Sequence, residues 1–106
     1  MSGDYLLILC TCPTSSAATA IATALLEERV AACANQVPGI KSMYRWEGRV
    51  EHDDEVLLLI KTTSQMFPRV ETIIGKLHPY ELPEIIAVPL AAGSEAYLNW
   101  IKSATE

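Results

Sequence analysis

Cys10, Cys12, Cys33, His52 and His78 are the side chains with most to offer a soft metal ion. Cys10 and Cys12 stand two apart in an apolar run, so on a strand they share one face with side chains roughly 7 Å apart. Two thiols with a nearby imidazole suit Cu(I), Cu(II) or Zn(II). A buried cysteine is also a small hydrophobe, and a C-x-C pair alone more often packs than binds. Cys33 follows Ala31-Ala32 at a strand start and reads as core. His78 closes a helical pattern, where the helix dipole favours a cation. The run His78-Pro79-Tyr80-Glu81 puts imidazole, phenol and carboxylate into one proline-bounded loop. His52, beside Asp53, Asp54 and Glu55, reads as part of a solvated acidic stretch, a weak divalent-ion surface at most.

Lys61 ends the apolar run VLLLIK and is expected to pair with an acid such as Glu81 or Glu84. Tyr44, Trp46, Tyr80, Tyr97 and Trp100 either pack or line a cleft between subunits. No Ser-His-Asp set, P-loop, GxGxxG or HExxH is present, and no nucleophile stands beside a general base, so a non-enzyme is expected. The formal net charge of −5 argues against nucleic-acid and anionic-membrane partners, which need a basic face. The start, Met1-Ser2-Gly3-Asp4, lacks a basic n-region, and the odd cysteine count fits reduced thiols; both point to the cytoplasm.

The elements that must position these residues follow from periodicity. Within one domain spanning residues 1–106, the run at 5–12 has strand length. Pro13-Thr14-Ser15-Ser16 breaks it and offers hydroxyl caps to a helix carrying Ala18, Ile21, Ala22, Leu25 and Leu26 and ending near Arg29. A second strand over 32–46 is interrupted at Pro38-Gly39, and Glu47-Gly48 turns it into a third over 49–63. Ser64 is expected to cap a second helix with Pro68 in its first turn and Phe67, Val70, Ile73, Ile74 and Leu77 as its buried stripe. A strand over 84–90 and a short helix capped by Ser94 finish the chain. The class is α+β: a ferredoxin-like βαββαβ sandwich with an antiparallel sheet in the order 4-1-3-2 and an extra C-terminal helix. Pro38 and Pro89 then fall on edge strands, where a missing N–H is tolerated.

Both crossover helices of that architecture lie on one sheet face, yet the central strands do not alternate. Leu6, Ile8 and Cys10 oppose Leu7 and Leu9; Val56, Leu58 and Ile60 oppose Leu57 and Leu59. A one-sided sheet should alternate apolar and polar residues. The helix-free face then carries several hundred Å² of apolar surface. At ~25 cal/mol per Å², covering it would contribute roughly 10 kcal/mol before association costs. Self-association is expected, and the long hairpin's outer strand offers an edge for it.

Several segments together resemble one family. LCTCP at 9–13, ERVAACANQVPGIKSMYRWEG at 28–48, EVLLLIKTT at 55–63, HPYELPEI at 78–85 and YLNWI at 97–101 resemble the CutA divalent-cation tolerance family, in order and over essentially the whole chain. The resemblance implies a cytoplasmic homotrimer linked to tolerance of copper and other divalent ions, with kinship to trimeric PII-type signalling proteins. It implies copper ligands at Cys10, matching the family's first-strand cysteine, and at His78, the second of a histidine pair. Leu77 replaces the first histidine, which leaves Cys12 as the obvious substitute ligand. The trimer is one way for the strand thiols to meet the loop imidazole. The alternative is a PII-like signalling or scaffold trimer. Its clefts between subunits, lined by Tyr44, Trp46, Lys61, Tyr80, Glu81 and Trp100, would bind a small anion or a partner.

Overall fold

The computed structural model describes residues 4–106; Met1-Ser2-Gly3, part of the localisation reading, lie outside the described residues. The elements are β1 (Tyr5–Cys12), α1 (Ser15–Glu27), β2 (Cys33–Trp46), β3 (Arg49–Thr63), a 3₁₀ turn (Ser64–Met66), α2 (Phe67–Leu77), β4 (Ile86–Pro89) and α3 (Glu95–Ala104). They build one antiparallel sheet in the order β2-β3-β1-β4, the expected order read from the other edge.

Local chemistry explains the boundaries. The Thr14 side chain accepts the Ala17 N–H and caps α1. Arg29, at φ 61°, ends it while its N–H and that of Val30 bond back to Leu26 and Leu25. Glu47 and Gly48 both have positive φ, 48° and 80°, as a two-residue hairpin turn matched to strand twist requires. Pro38 and Gly39 lie in a register shift between Val37 and Ile40, on edge strand β2, and Pro89 lies on edge strand β4.

Three expectations need correcting. Ser64 does not cap α2: it opens the 3₁₀ turn, and its backbone N–H and hydroxyl donate to the Asp4 carbonyl. Strand β4 is shorter than 84–90, because Pro83 has no N–H for a ladder and pairing to β1 begins only at Ile86. Cys33 is half-buried and not core, since it pairs with Lys61 on the face away from α1 and α2.

Ile8, Cys10 and Cys12 of β1 and Val56, Leu58 and Ile60 of β3 point to one side. There they pack with Ala18, Ile21 and Leu25 of α1 and Val70 and Ile74 of α2. On the other side Leu7, Leu9, Leu57 and Leu59 are only half-buried, and Ile86 and Val88 of β4 are 52% and 44% exposed. Helix α3 covers one end of that side, where the Lys61 ammonium lies 5.8 Å from the centre of the Tyr97 ring. The rest is open. Leu58, fully buried at the centre of β3, is expected to lose about 2–5 kcal/mol on Leu58→Ala, through lost contacts and a residual cavity. The change at exposed Leu82→Ala should stay within about 0.5 kcal/mol, both read from urea midpoints.

Candidate metal centre

Cys10 and Cys12 end β1 on its core face, and His78 follows α2, donating its backbone N–H to Ile74. The three meet within a single chain: the two sulfurs and a ring nitrogen lie within 4.8 Å of one another, all buried. The sulfurs are closer than the strand repeat implies because the side chains lean together. No second subunit is needed to assemble them.

The hydrogen bonds define the protonation state. The Tyr80 backbone N–H donates to His78 Nδ1 at 3.1 Å, so that nitrogen holds a lone pair. His78 Nε2 then carries the proton and donates it to the Thr11 carbonyl at 2.8 Å. The ring thereby ties the loop after α2 to the end of β1. The interaction with Cys12 and burial push the Cys10 thiol far up, while the same interaction pulls the Cys12 thiol down. Cys12 is the sulfur that ionises first, and a thiolate is the form that binds metal.

Beyond the Thr11 peptide lies a groove of about 720 Å³, lined by Tyr44, Trp46, Tyr80 and Glu81 together with Glu55 and Glu84. Its key bond runs from the Tyr80 hydroxyl to Glu55 Oε2 at 2.7 Å. Glu55 is therefore not part of a solvated acidic stretch; it is 7% exposed. Its neighbours are committed too, Asp54 to the Lys41 ammonium at 2.8 Å and Asp53 to the Tyr44 hydroxyl. The sign that would have revealed Glu55 is parity, because it lies two residues before Leu57 and four before Leu59 on the same strand face.

The six cleft residues do not gather in one place within this chain. Lys61 and Trp100 belong to the α3 end, where Lys61 donates to Asn35 Oδ1 at 2.8 Å and the Trp100 ring lies tilted against that of Tyr97, centroids 5.4 Å apart. Lys61 reaches neither Glu81 nor Glu84, since six residues of β3, roughly 20 Å at strand rise, separate it from Glu55 at the groove. Leu77, expected in the buried stripe of α2, is instead 46% exposed at the last turn of the helix, whose buried residues are Val70 and Ile74. The groove's negative charge also disfavours a small anion.

The sequence matches the family model described as CutA1 divalent ion tolerance protein over residues 6–104. The divalent-cation tolerance protein CutA of Thermus thermophilus is 50% identical over 98 residues, covering 92% of this chain and 95% of that protein. The human protein CutA is 45% identical over 96 residues; the match covers 91% of this chain but 54% of the human protein. Among solved structures, CutA from Xylella fastidiosa superposes with a TM-score of 0.95 at 44% identity, covering 97% of this chain and 99% of that one.

Partial burial and the nearby Glu55 charge hold the Glu84 carboxyl above its ordinary 4.5. The folded state thus keeps this proton to higher pH than the unfolded chain, so Glu84's contribution to stability falls as pH rises past 4.5. Glu84→Gln is expected to be more stable than the parent at neutral pH, with the difference vanishing below about pH 4. Urea unfolding at both pH values checks the sign.

Proposed function

Because the chain belongs to the CutA1 divalent ion tolerance protein family, whose members are not enzymes, we propose that it binds copper or a similar ion weakly at Cys10, Cys12 and His78, acting as a cytoplasmic homotrimer in the metal-ion response. The observation that carries the reading is the convergence of two thiols and an imidazole within 4.8 Å. Two sulfurs and one nitrogen fit a soft ion, which gains charge neutralisation and covalency from thiolate.

The chain's own bonds set the strength. The Cys10 proton must leave, and His78 must give up either the Tyr80 N–H at Nδ1 or the proton that Nε2 holds against Thr11. Three donors, one of them already engaged at both nitrogens, make a site of modest affinity. Thiol deprotonation makes that affinity rise with pH. Titration of Cu(I) under reducing conditions against a competing chelator is expected to show binding about tenfold or more weaker in Cys10→Ser, Cys12→Ser and His78→Ala, and unaltered in Cys33→Ser. Unchanged affinity in the first three variants would reject these ligands.

The trimer is supported by the open apolar side of the sheet and by the 14-residue edge strand β2. Light scattering should return about three times the chain mass of 11.6 kDa; a particle of one chain mass would reject it. The groove favours a second reading, a PII-like signalling or scaffold trimer that binds a small ligand or partner in its clefts. A thermal-shift screen of metals against metabolites separates the two, because a true ligand raises the melting temperature by mass action.

A further inference from the structure

Cys10 and Cys12 have a second chemistry besides donating to an ion. Both are fully buried on the core face of β1, and their sulfurs lie within 4.8 Å of each other. The remaining cysteine, Cys33, pairs with Lys61 on the opposite face of the sheet, so within one chain the two thiols can oxidise only with each other. Burial keeps out a bulky disulfide partner and leaves oxidants as small as a metal ion.

The backbone permits closure. Two strand rises set the Cα atoms roughly 6.7 Å apart, at the upper end of the usual span for a disulfide. Strand β3 pairs with β1 as far as Cys12, but β4 stops at Leu9, so residues 10–12 are held in the ladder on one side only. Among the described residues, the Cys10 thiol makes one hydrogen-bond contact, a long 4.0 Å approach to the Thr11 carbonyl, so turning it breaks no strong bond. Closure strains the pleat, and a strained disulfide is readily reduced again.

We infer that Cys10 and Cys12 are a two-electron reductant of Cu(II), closing to an intrachain disulfide as they pass one electron to each of two cupric ions. The inference rests on the reading of these residues with His78 as the copper site, because an ion bound there already lies against both sulfurs. Soft thiolates favour Cu(I), whereas Cu(II) prefers tetragonal nitrogen and oxygen surroundings, so this donor set stabilises the reduced ion over the oxidised one. The step balances. Two S–H bonds break, one S–S bond forms, two Cu(II) become two Cu(I), and two protons leave to solvent. Closure removes two of the three donors, and the oxidised chain releases the cuprous ion that the reduced chain holds. A small thiol restores the pair by exchange.

The test is anaerobic addition of about two equivalents of Cu(II) to the reduced full chain, one per electron of the couple. Chelator colour then reads Cu(I), and alkylation in urea with tryptic mapping reads the thiols. Trypsin cuts after Arg29 and Lys41, which separates the pair, in residues 1–29, from Cys33, in residues 30–41. The expected result is about two equivalents of Cu(I) per chain, with peptide 1–29 unalkylated and lighter by two hydrogens, Cys33 alkylated, and reversal by dithiothreitol. The oxidised chain should bind Cu(I) about tenfold or more weakly than the reduced one. Cys33→Ser should behave as the parent, while Cys10→Ala and Cys12→Ala should give no closed peptide. Mapping on the parent chain keeps the result independent of how a core variant folds. Both thiols of peptide 1–29 still alkylated after Cu(II), a bond to Cys33 instead, or equal Cu(I) affinity in the two redox states would overturn the inference. If no disulfide forms while Cu(I) still binds in a manner that needs Cys10 and Cys12, the inference falls and the copper site stands.

Discussion

The antiparallel register of β1 on β3, from Tyr5 opposite Thr63 to Cys12 opposite Val56, assigns every side chain of the two central strands to a face. Strand side chains alternate with a period of two, so a slip of one residue would exchange the faces. In this register Ile8, Leu58 and Ile60 meet the helices, and Cys10 and Cys12 enter the core with them. The same register turns Glu55 and Lys61 to the opposite side, at its two ends. The thiol pair, the groove and the α3 contact all inherit their positions from that pairing.

His78 joins two regions that the register leaves apart. One ring nitrogen is tied to the Thr11 carbonyl at the end of β1, the other to the backbone of Tyr80. The Tyr80 hydroxyl in turn holds Glu55. A chain of three short bonds thus runs from the thiol pair's peptide to the buried carboxylate of the groove. The imidazole and the loop that forms one groove wall therefore belong to one hydrogen-bonded network.

The open side of the sheet has a different logic. Its central strands expose leucine where a solvated sheet would show polar residues, and α3 shields only the Lys61 end. An apolar surface of this kind beside a long unpaired edge strand is unusual for a chain that stays alone. The open apolar side thus lies on the back of the same two central strands that carry the thiol pair into the core.

Much of the fold was legible in the residues. Strand β1 and strand β3 fall where the apolar runs place them, Thr14 and Ser94 cap their helices, and both strand prolines lie on edges. Local propensity and period-two patterning suffice for those, because they depend on near neighbours in the chain. The CutA resemblance also named Cys10 and His78 and offered Cys12. Distances between distant segments were another matter. That 67 residues of separation close to a 2.8 Å bond between His78 and Thr11, that Glu55 is buried under Tyr80, and that Lys61 lies at the opposite end from Glu81 were decided by strand register and loop path. Sequence by itself determined which groups can bind an ion and which faces are apolar. Only the tertiary structure decided which of those groups share a space, because proximity across a sheet is set by pairing between strands and not by order along one.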